Sequence, residues 1–277
     1  MKIAIYSRNE GISSNPRIVS MLETLKSGPF EFYEIHSGTR IQEGTDMIMS
    51  VGGDGTFLSA SKGAGKFGIP VLGINLGRLG FLSEYSPEEV CEALLEGSFS
   101  LENREVLETS IDGGIIESDT AFWPYTLNEI SVLRCGAAIL GIDVSIDGNP
   151  LPTYWADGLL VSTSSGSTAY SLSVGGPICV PDSKVLIIAP IAPHNLNVRP
   201  LVVPDTTRIS ISMRSRDDKV TMSMDNRNLV LQSSAKIDVR VAQFSLKRVR
   251  LEKSSFVKAL TTKLFWGEDI RNGGEQL

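Results

Sequence analysis

The stretch Ser50-Val51-Gly52-Gly53-Asp54-Gly55-Thr56 most limits what this chain can fold into. Met47, Ile48, Met49 and Val51 lead into it as an apolar run, and Phe57, Leu58 and Ala60 leave it at helical spacing. It therefore reads as a strand, a glycine turn and the start of a helix. Gly52, Gly53 and Gly55 leave the backbone bare. They can take positive φ and let an anion approach the amide N–H groups, with Thr56 expected to cap a helix whose N-terminus is partially positive. That geometry suits a polyphosphate. A carboxylate there repels such a ligand unless it holds a metal, orients a hydroxyl or accepts a proton, so Asp54 points to phosphoryl transfer. A glycine turn also joins strand to helix in α/β proteins that bind nothing, and the motif alone leaves both readings open. Two other nucleotide motifs fit worse. A dinucleotide fingerprint needs a third glycine where Leu58 stands, and a Walker A loop needs Ser or Thr after Gly65-Lys66, where Phe67 stands.

Around this turn, strands alternate with helical patterns from residue 2 to about residue 97. Ile3-Ala4-Ile5-Tyr6 reads as a strand, residues 16–26 carry Ile18, Val19, Leu22 and Leu25 on one helical face, and residues 30–35 and 69–74 are further strands. Ser86 with Pro87 opens the next helix as N-cap and first helical residue. The expectation is an α/β domain with an open, mostly parallel sheet. In such sheets ligands sit beyond the carboxyl ends of the strands, where both the 52–56 turn and the 75–80 loop lie.

Past about residue 100 the hydrophobic period changes to two. Ile142, Val144 and Ile146 alternate, as do Ile209, Ile211 and Met213, then Val220, Met222 and Met224, and Ile237, Val239 and Val241. This half is expected to be mainly β, as two packed sheets rather than a barrel. Phe256, Leu260 and Leu264 then recur every fourth residue behind Ser254 or Ser255, so a short C-terminal helix is expected to pack back on the first domain. The domain expectation is residues 1–100, joined by 254–277, for the α/β part and 101–253 for the β part.

The β half contains two chemically suggestive stretches. Asn128-Glu129 sits between apolar flanks, where the amide can both donate and accept and the carboxylate can accept from sugar hydroxyls; taken alone the pair reads more readily as a solvated strand end. A longer run from Asp157 to Pro177 passes from a strand into small hydroxyl residues and then Tyr170, which suits a flat base lying against backbone. A serine hydrolase is poorly supported, since Gly166-Ser167-Thr168-Ala169 lacks the second glycine of a nucleophile elbow and the only histidines are His36 and His194.

Composition narrows the class. A net charge of −6 argues against a general nucleic-acid or anionic-membrane binder, and no run of eighteen apolar residues occurs, so no membrane segment is expected. Cys91, Cys135 and Cys179 are odd in number and lack metal-ligand spacing, which fits buried thiols in a reducing cytoplasm. No protein metal ligands are assigned.

Taken together these motifs resemble the NAD kinases. The resemblance rests on Gly52-Gly53-Asp54-Gly55-Thr56, on Asn75-Leu76-Gly77-Arg78-Leu79-Gly80-Phe81-Leu82, on Asn128-Glu129, on Asp157-Gly158 through Gly176-Pro177, and on Ala192-Pro193-His194 with Arg199-Pro200-Leu201-Val202-Val203-Pro204. The glycine motif alone is shared with diacylglycerol and sphingosine kinases and phosphofructokinases; the 157–177 stretch singles out NAD kinases. The resemblance implies transfer of the γ-phosphoryl of ATP, with Mg²⁺, to the 2′-hydroxyl of the adenosine ribose of NAD, giving NADP, by a homodimer or homotetramer. It implies that Asp54 orients or deprotonates the attacking hydroxyl, with Gly52, Gly53, Gly55 and Thr56 at the phosphates. Asn128 and Glu129 would hold the adenosine end, Thr168, Ala169 and Tyr170 surround the adenine, and Ser171 and Leu172 continue that wall. Asp157, Ser173 and Ala192 would meet the nicotinamide half. Further candidates are Arg78, as a phosphate-side or a structural cation, and Asp225, near the phosphates. A turn carboxylate contributes little to a core, so replacing Asp54 is expected to stop turnover and leave the fold intact. The rivals are a lipid kinase sharing the glycine motif and a catalytically silent NAD-binding regulator.

Overall fold

The computed structural model describes residues 1–8, 15–77 and 80–267, in two compact units: Met1–Asn103 with Leu246–Leu277, and Arg104–Ser245. The first unit opens with β1 (Lys2–Tyr6), α1 (Pro16–Leu25), β2 (Glu31–Ile35), β3 (Met47–Val51), α2 (Asp54–Ala64), β4 (Val71–Ile74), α3 (Pro87–Glu96) and β5 (Phe99–Arg104). Local chemistry explains the helix starts. Asn15 caps α1 through the Arg17 amide with Pro16 in its first turn, and Ser86 and Glu89 form a reciprocal capping box before α3. Strand β3 is buried along its whole length, as a central parallel strand must be.

The second unit is built from strands. Its first set is β6 (Leu107–Asp112), β7 (Ile115–Ser118), β8 (Tyr125–Thr126), β9 (Glu129–Arg134), β10 (Leu140–Ile146), β11 (Asn149–Pro150), β12 (Tyr154–Ala156) and β13 (Gly158–Thr163). A short helix α4 (Tyr170–Ser173) precedes β14 (Val185–Ile191), β15 (Leu201–Pro204), β16 (Ile209–Arg214), β17 (Lys219–Met224), β18 (Arg227–Gln232) and β19 (Lys236–Val241). They form two seven-stranded antiparallel sheets. One runs β11-β10-β16-β19-β6-β8 with β12 paired to β10; the other runs β15-β14-β13-β9-β17-β18-β7. Both feed one core: Ile142, Val144 and Ile211 of the first sheet cluster with Ile130, Val161 and Met222 of the second. The alternation read from the sequence is this inward set.

The chain then returns to the first unit as β20 (Leu246–Leu251) and α5 (Phe256–Leu264). Strand β20 completes a six-stranded sheet in the order β2-β1-β3-β4-β20-β5, parallel to β4. The boundary expected at 253 therefore falls at 245. Leu246, Val249 and Leu251 are buried, and Val249 and Leu251 belong to the α/β core, so β20 alternates toward helices rather than toward the second sheet pair. Helix α5 does pack in the first unit, but its single fully buried residue is Ala259; Phe256, Leu260 and Leu264 are half-buried. Two smaller expectations also change. Cys91 and Cys179 are half-buried and Cys135 is exposed, so none of the three thiols is buried outright. Gly53, not Thr56, is the N-cap of α2, and no side chain caps that helix.

Candidate active site

Strand β3 ends in the glycine turn, and Asp54 is the first residue of α2. Of the three turn glycines only Gly52 takes a positive φ, +147°, and a methyl there would lie 2.5 Å from Thr56 Oγ1. The Asp54 carboxylate reaches across to the loop that follows β4. Its Oδ2 accepts from the Phe81 amide at 2.9 Å, and its Oδ1 accepts from Leu82 at 3.0 Å and Ser83 at 2.9 Å. Asp54 is thus a structural anchor as well as a candidate for chemistry, which corrects the view that it contributes little to the fold. The loop fits tightly around it: a methyl on Gly80 would lie 1.9 Å from Asp54 Oδ1. Asn75 braces the same loop, donating from Nδ2 to the Ser83 carbonyl at 3.1 Å. A carboxylate has about four acceptor positions. Among the described residues three are occupied, leaving one on Oδ2.

Sequence reasoning passed over Arg8, which stands beside the turn. Its Nε and Nη2 donate to Ser59 Oγ at 3.1 and 2.7 Å, and a methyl on Gly55 would sit 3.4 Å from its Nη1. The available signal was a cation just past the carboxyl end of a parallel strand, where open α/β sheets place their ligands. Arg78, the cation singled out from sequence, lies outside the described residues.

In the second unit the same device recurs. Asp225 sits half-buried in the β17–β18 turn at φ +53°, where it accepts from the amides of Leu127 (2.9 Å), Asn128 (2.8 Å) and Glu129 (3.4 Å). Burial drives its carboxyl above the usual range, and the three amides and nearby Arg227 oppose that rise. Asp225 was expected near the phosphates. In the structure both its oxygens hold the backbone of residues 127–129, because a hairpin in this register brings it under that segment. The other side of the segment rests on β13: Thr163 N–H at 2.9 Å and Ser162 Oγ at 3.2 Å both donate to the Asn128 carbonyl, while Thr163 Oγ1 donates to the Leu127 carbonyl at 2.7 Å.

Sequence-distant side chains meet here. Buried oxygens left without a protein partner include Asn128 Oδ1, Glu129 Oε2, Ser165 Oγ and Ser171 Oγ. Unsatisfied buried polar atoms are costly in a folded protein. These four fall on the segments singled out from sequence, which suits a polar ligand cradle. Glu129 also feels the Tyr170 amide, which brings α4 to the same place. Thr168, Ala169 and Tyr170 are half-buried around it, Leu172 is half-buried and Ser173 is exposed. Not every hydroxyl in the run is available: Ser164 bonds the Pro181 carbonyl and Ser167 staples the Cys179 backbone at both N–H and carbonyl.

Burial, and then the charge of Asp225, pushes the Glu129 carboxyl up to about 8. An acid whose folded-state pKa is raised contributes stability present below its unfolded value and lost as pH rises through the folded value. Wild type should therefore lose stability between about pH 4.5 and 8 through this group. Glu129→Gln removes the loss. Its melting temperature should match wild type near pH 5 and exceed it by on the order of 5 °C near pH 9, measured by calorimetry; an equal difference at both pH values would mean that Glu129 does not titrate in this window.

Asp157 lies where the chain passes from β12 in one sheet to β13 in the other. Its amide donates to the Ile191 carbonyl at 3.0 Å, next to Ala192, and its Oδ1 accepts from Arg134 Nε at 2.7 Å. Ala192 is left-handed at φ +45°, an uncommon conformation for alanine that stores local strain. The two residues singled out together from the sequence thus sit together on adjacent chain turns.

Comparison with known proteins fits this arrangement. Models of the ATP-NAD kinase N-terminal and C-terminal domains match residues 6–97 and 127–251. An NAD kinase of Bacteroides fragilis is 44% identical over 230 residues, covering 82% of this chain and 78% of that protein. An NAD kinase of Christiangramia forsetii is 38% identical over 296 residues, covering 98% and 100%. The crystal structure of an NAD kinase from Archaeoglobus fulgidus in complex with ATP superposes with a TM-score of 0.77 at 26% identity, covering 96% of this chain and 99% of that one. Yeast NADH kinase complexed with NADH gives 0.82 at 22% identity, over 97% and 89%, a likeness of fold. With both domain models matched and such relatives along its length, the chain belongs to the NAD kinase family.

Proposed function

We propose that this protein transfers the γ-phosphoryl group of ATP to the 2′-hydroxyl of the adenosine ribose of NAD, as an ATP:NAD 2′-phosphotransferase. The observation that carries the reading is the Asp54 carboxylate, held at the N-terminus of α2 by the amides of Phe81, Leu82 and Ser83 with one acceptor position left on Oδ2. A secondary hydroxyl is a weak nucleophile. Phosphoryl transfer is helped chiefly by placing that hydroxyl in line and stabilising charge on the moving group, and positioning alone is worth about 7–11 kcal/mol. Asp54 would accept the hydroxyl hydrogen bond and, as the O–P bond forms, the proton. Gly53 and Gly55, bare of side chains at the start of α2, would let phosphate oxygens approach the backbone, whereas the Gly52 N–H is already given to the Ile74 carbonyl at 2.8 Å and the Thr56 N–H to the Gly53 carbonyl at 2.9 Å; Arg8 would add a cation beside them.

In the second unit Asn128 and Glu129 would take the adenosine hydroxyls and ring nitrogens. Their orphaned oxygens, with those of Ser165 and Ser171, would be the polar atoms such a ligand satisfies. Thr168, Ala169, Tyr170 and Leu172 would flank the base. Asp157, Ser173 and Ala192 would meet the nicotinamide half, and Asp225 would act from beneath by fixing the Asn128-Glu129 backbone.

Magnesium fits as the companion of the triphosphate. Among the described residues no group of three or more His, Cys, Asp or Glu side chains can hold a metal ion, and Mg²⁺ commonly binds through substrate phosphates with few protein ligands. It would supply charge neutralisation on the phosphates. We also propose a homodimer or homotetramer, for which β15 offers a sheet edge with Leu201 and Val202 exposed. A reducing cytoplasm is the proposed compartment, in keeping with three free cysteines. No helix among the described residues is long and apolar enough to cross a membrane.

The test is chromatographic. Protein with NAD, ATP and Mg²⁺ should form NADP, and omission of any one should stop it. NAD binding without NADP under these conditions would favour another phosphoryl donor or a silent binder.

A further inference from the structure

Strand β20 and helix α5 touch the loop that holds Asp54. Lys263 of α5 places its Nζ 3.0 Å from Glu84 Oε1 and 5.0 Å from the centre of the Phe81 ring, with only 7% of its side chain exposed. Arg248 of β20, 4% exposed, meets the other oxygen of Glu84 at 2.9 Å, and its Nη2 points at the Leu82 carbonyl at 3.5 Å. Phe256, in the first turn of α5, lies with its ring centre 6.5 Å from that of Phe81. Residues 81–84 are therefore gripped twice. Asp54 takes their amides from one side, and Arg248, Lys263 and Phe256 take their side chains and a carbonyl from the other. Lys263 is also near enough to Asp54 for their charges to interact.

We infer that Lys263 is a positioning residue for phosphoryl transfer: through Glu84 and Phe81 the C-terminal helix clamps the 81–83 backbone that sets the direction of the Asp54 carboxylate. The inference rests on Asp54 being the carboxylate that handles the acceptor hydroxyl. Two physical points support it. Burying an ammonium is expensive, and a buried ion cluster adds little net stability compared with apolar side chains of the same volume, so stability alone is a poor account of these charges. The rest of α5 holds on weakly: Ala259 is its one fully buried residue, and a cleft of about 320 Å³ opens beside it, lined by Tyr85 and Ala93 near α3 and Leu251 at the end of β20. Lys263 and Phe256 are thus the contacts through which the helix acts on the loop.

The experiment compares the full-length protein with Lys263→Met, Lys263→Arg and Glu84→Gln, and with Asp54→Asn as reference. Lys263→Met should lower kcat roughly 10–100-fold with KM for NAD and ATP within about twofold, since misplacement of a catalytic group costs rate rather than binding. Amides of residues 81–83 should exchange with deuterium at least about tenfold faster, while those of β3 and β4 keep their protection. Lys263→Arg, which keeps the charge within reach of Glu84, should restore most of the rate. Glu84→Gln should show the same pattern from the loop side, and it carries the test if Lys263→Met fails to fold. Wild-type kcat with unchanged exchange in a folded variant would overturn the inference. So would a lower melting temperature with full activity per folded molecule. If Asp54→Asn keeps its turnover, the reading of Asp54 fails instead, and faster exchange in Lys263→Met would still report the clamp.

Discussion

Asp54→Asn should reduce NADP formation by about 10³-fold or more, the range expected when a group that positions and deprotonates a hydroxyl is lost. The asparagine can keep its oxygen where Oδ1 now accepts from Leu82 and Ser83, and give up only the Phe81 bond. Its melting temperature should stay close to wild type. Asp54→Ala differs, because it strands all three amides. Hydrogen bonds to charged groups contribute about 1.5–3 kcal/mol each when buried, and these are partly exposed, so a loss of a few kcal/mol is the upper range. Asp54→Ala should therefore be both inactive and less stable. The comparison separates the two duties of one side chain. Near-normal turnover in a folded Asp54→Asn would reduce Asp54 to an anchor, and a different group would have to handle the hydroxyl.

Gly166→Ala should be the most damaging methyl in the second unit. The added carbon would lie 2.3 Å from the Asn128 carbonyl oxygen and 2.4 Å from Ser162 Oγ. Neither can yield cheaply. That carbonyl is held by the Thr163 amide and Ser162 Oγ, and on the far side Asp225 holds the Asn128 amide. Overpacking of this kind costs about 1–3 kcal/mol, occasionally more, so the melting temperature should drop by roughly 4–10 °C. The strain falls on the Asn128-Glu129 segment, so NAD affinity by calorimetry should weaken more than KM for ATP rises. An unchanged melting temperature would mean the 165–168 turn can move away, and that its close approach is not needed.

Much of this was legible in the sequence because the signals are local. The Met47–Val51 run, the helix start at Ser86-Pro87 and the period-two alternation of Ile142, Val144 and Ile146 each specify an element by short-range chemistry, and each element formed. The glycine turn, Asn128-Glu129 and the small-hydroxyl run were each ambiguous alone and pointed to a site only when taken together, through the family resemblance. Two expectations change for one reason: the 246–251 strand belongs to the first unit, and Asp54, read as contributing little to a core, anchors the loop after β4. In each case a residue's role depends on a partner that is distant in the chain or lies across a turn.

Sequence alone determined the two-part architecture, the turn that presents Asp54 and the side chains available for recognising a dinucleotide. Periodicity and residue chemistry are properties of a few neighbouring positions, and they survive in a one-dimensional reading. Tertiary structure alone decided which groups hold the site in place. It brings Arg248 and Lys263 back to Glu84 from more than 160 positions away, Asp225 to the amides of 127–129, and Arg8 to the glycine turn. Such contacts exist only once a sheet order and a hairpin register have been chosen. Hydrogen-bond and ion-pair energies fall off within a few ångströms, so a residue's role is set by where the fold puts it.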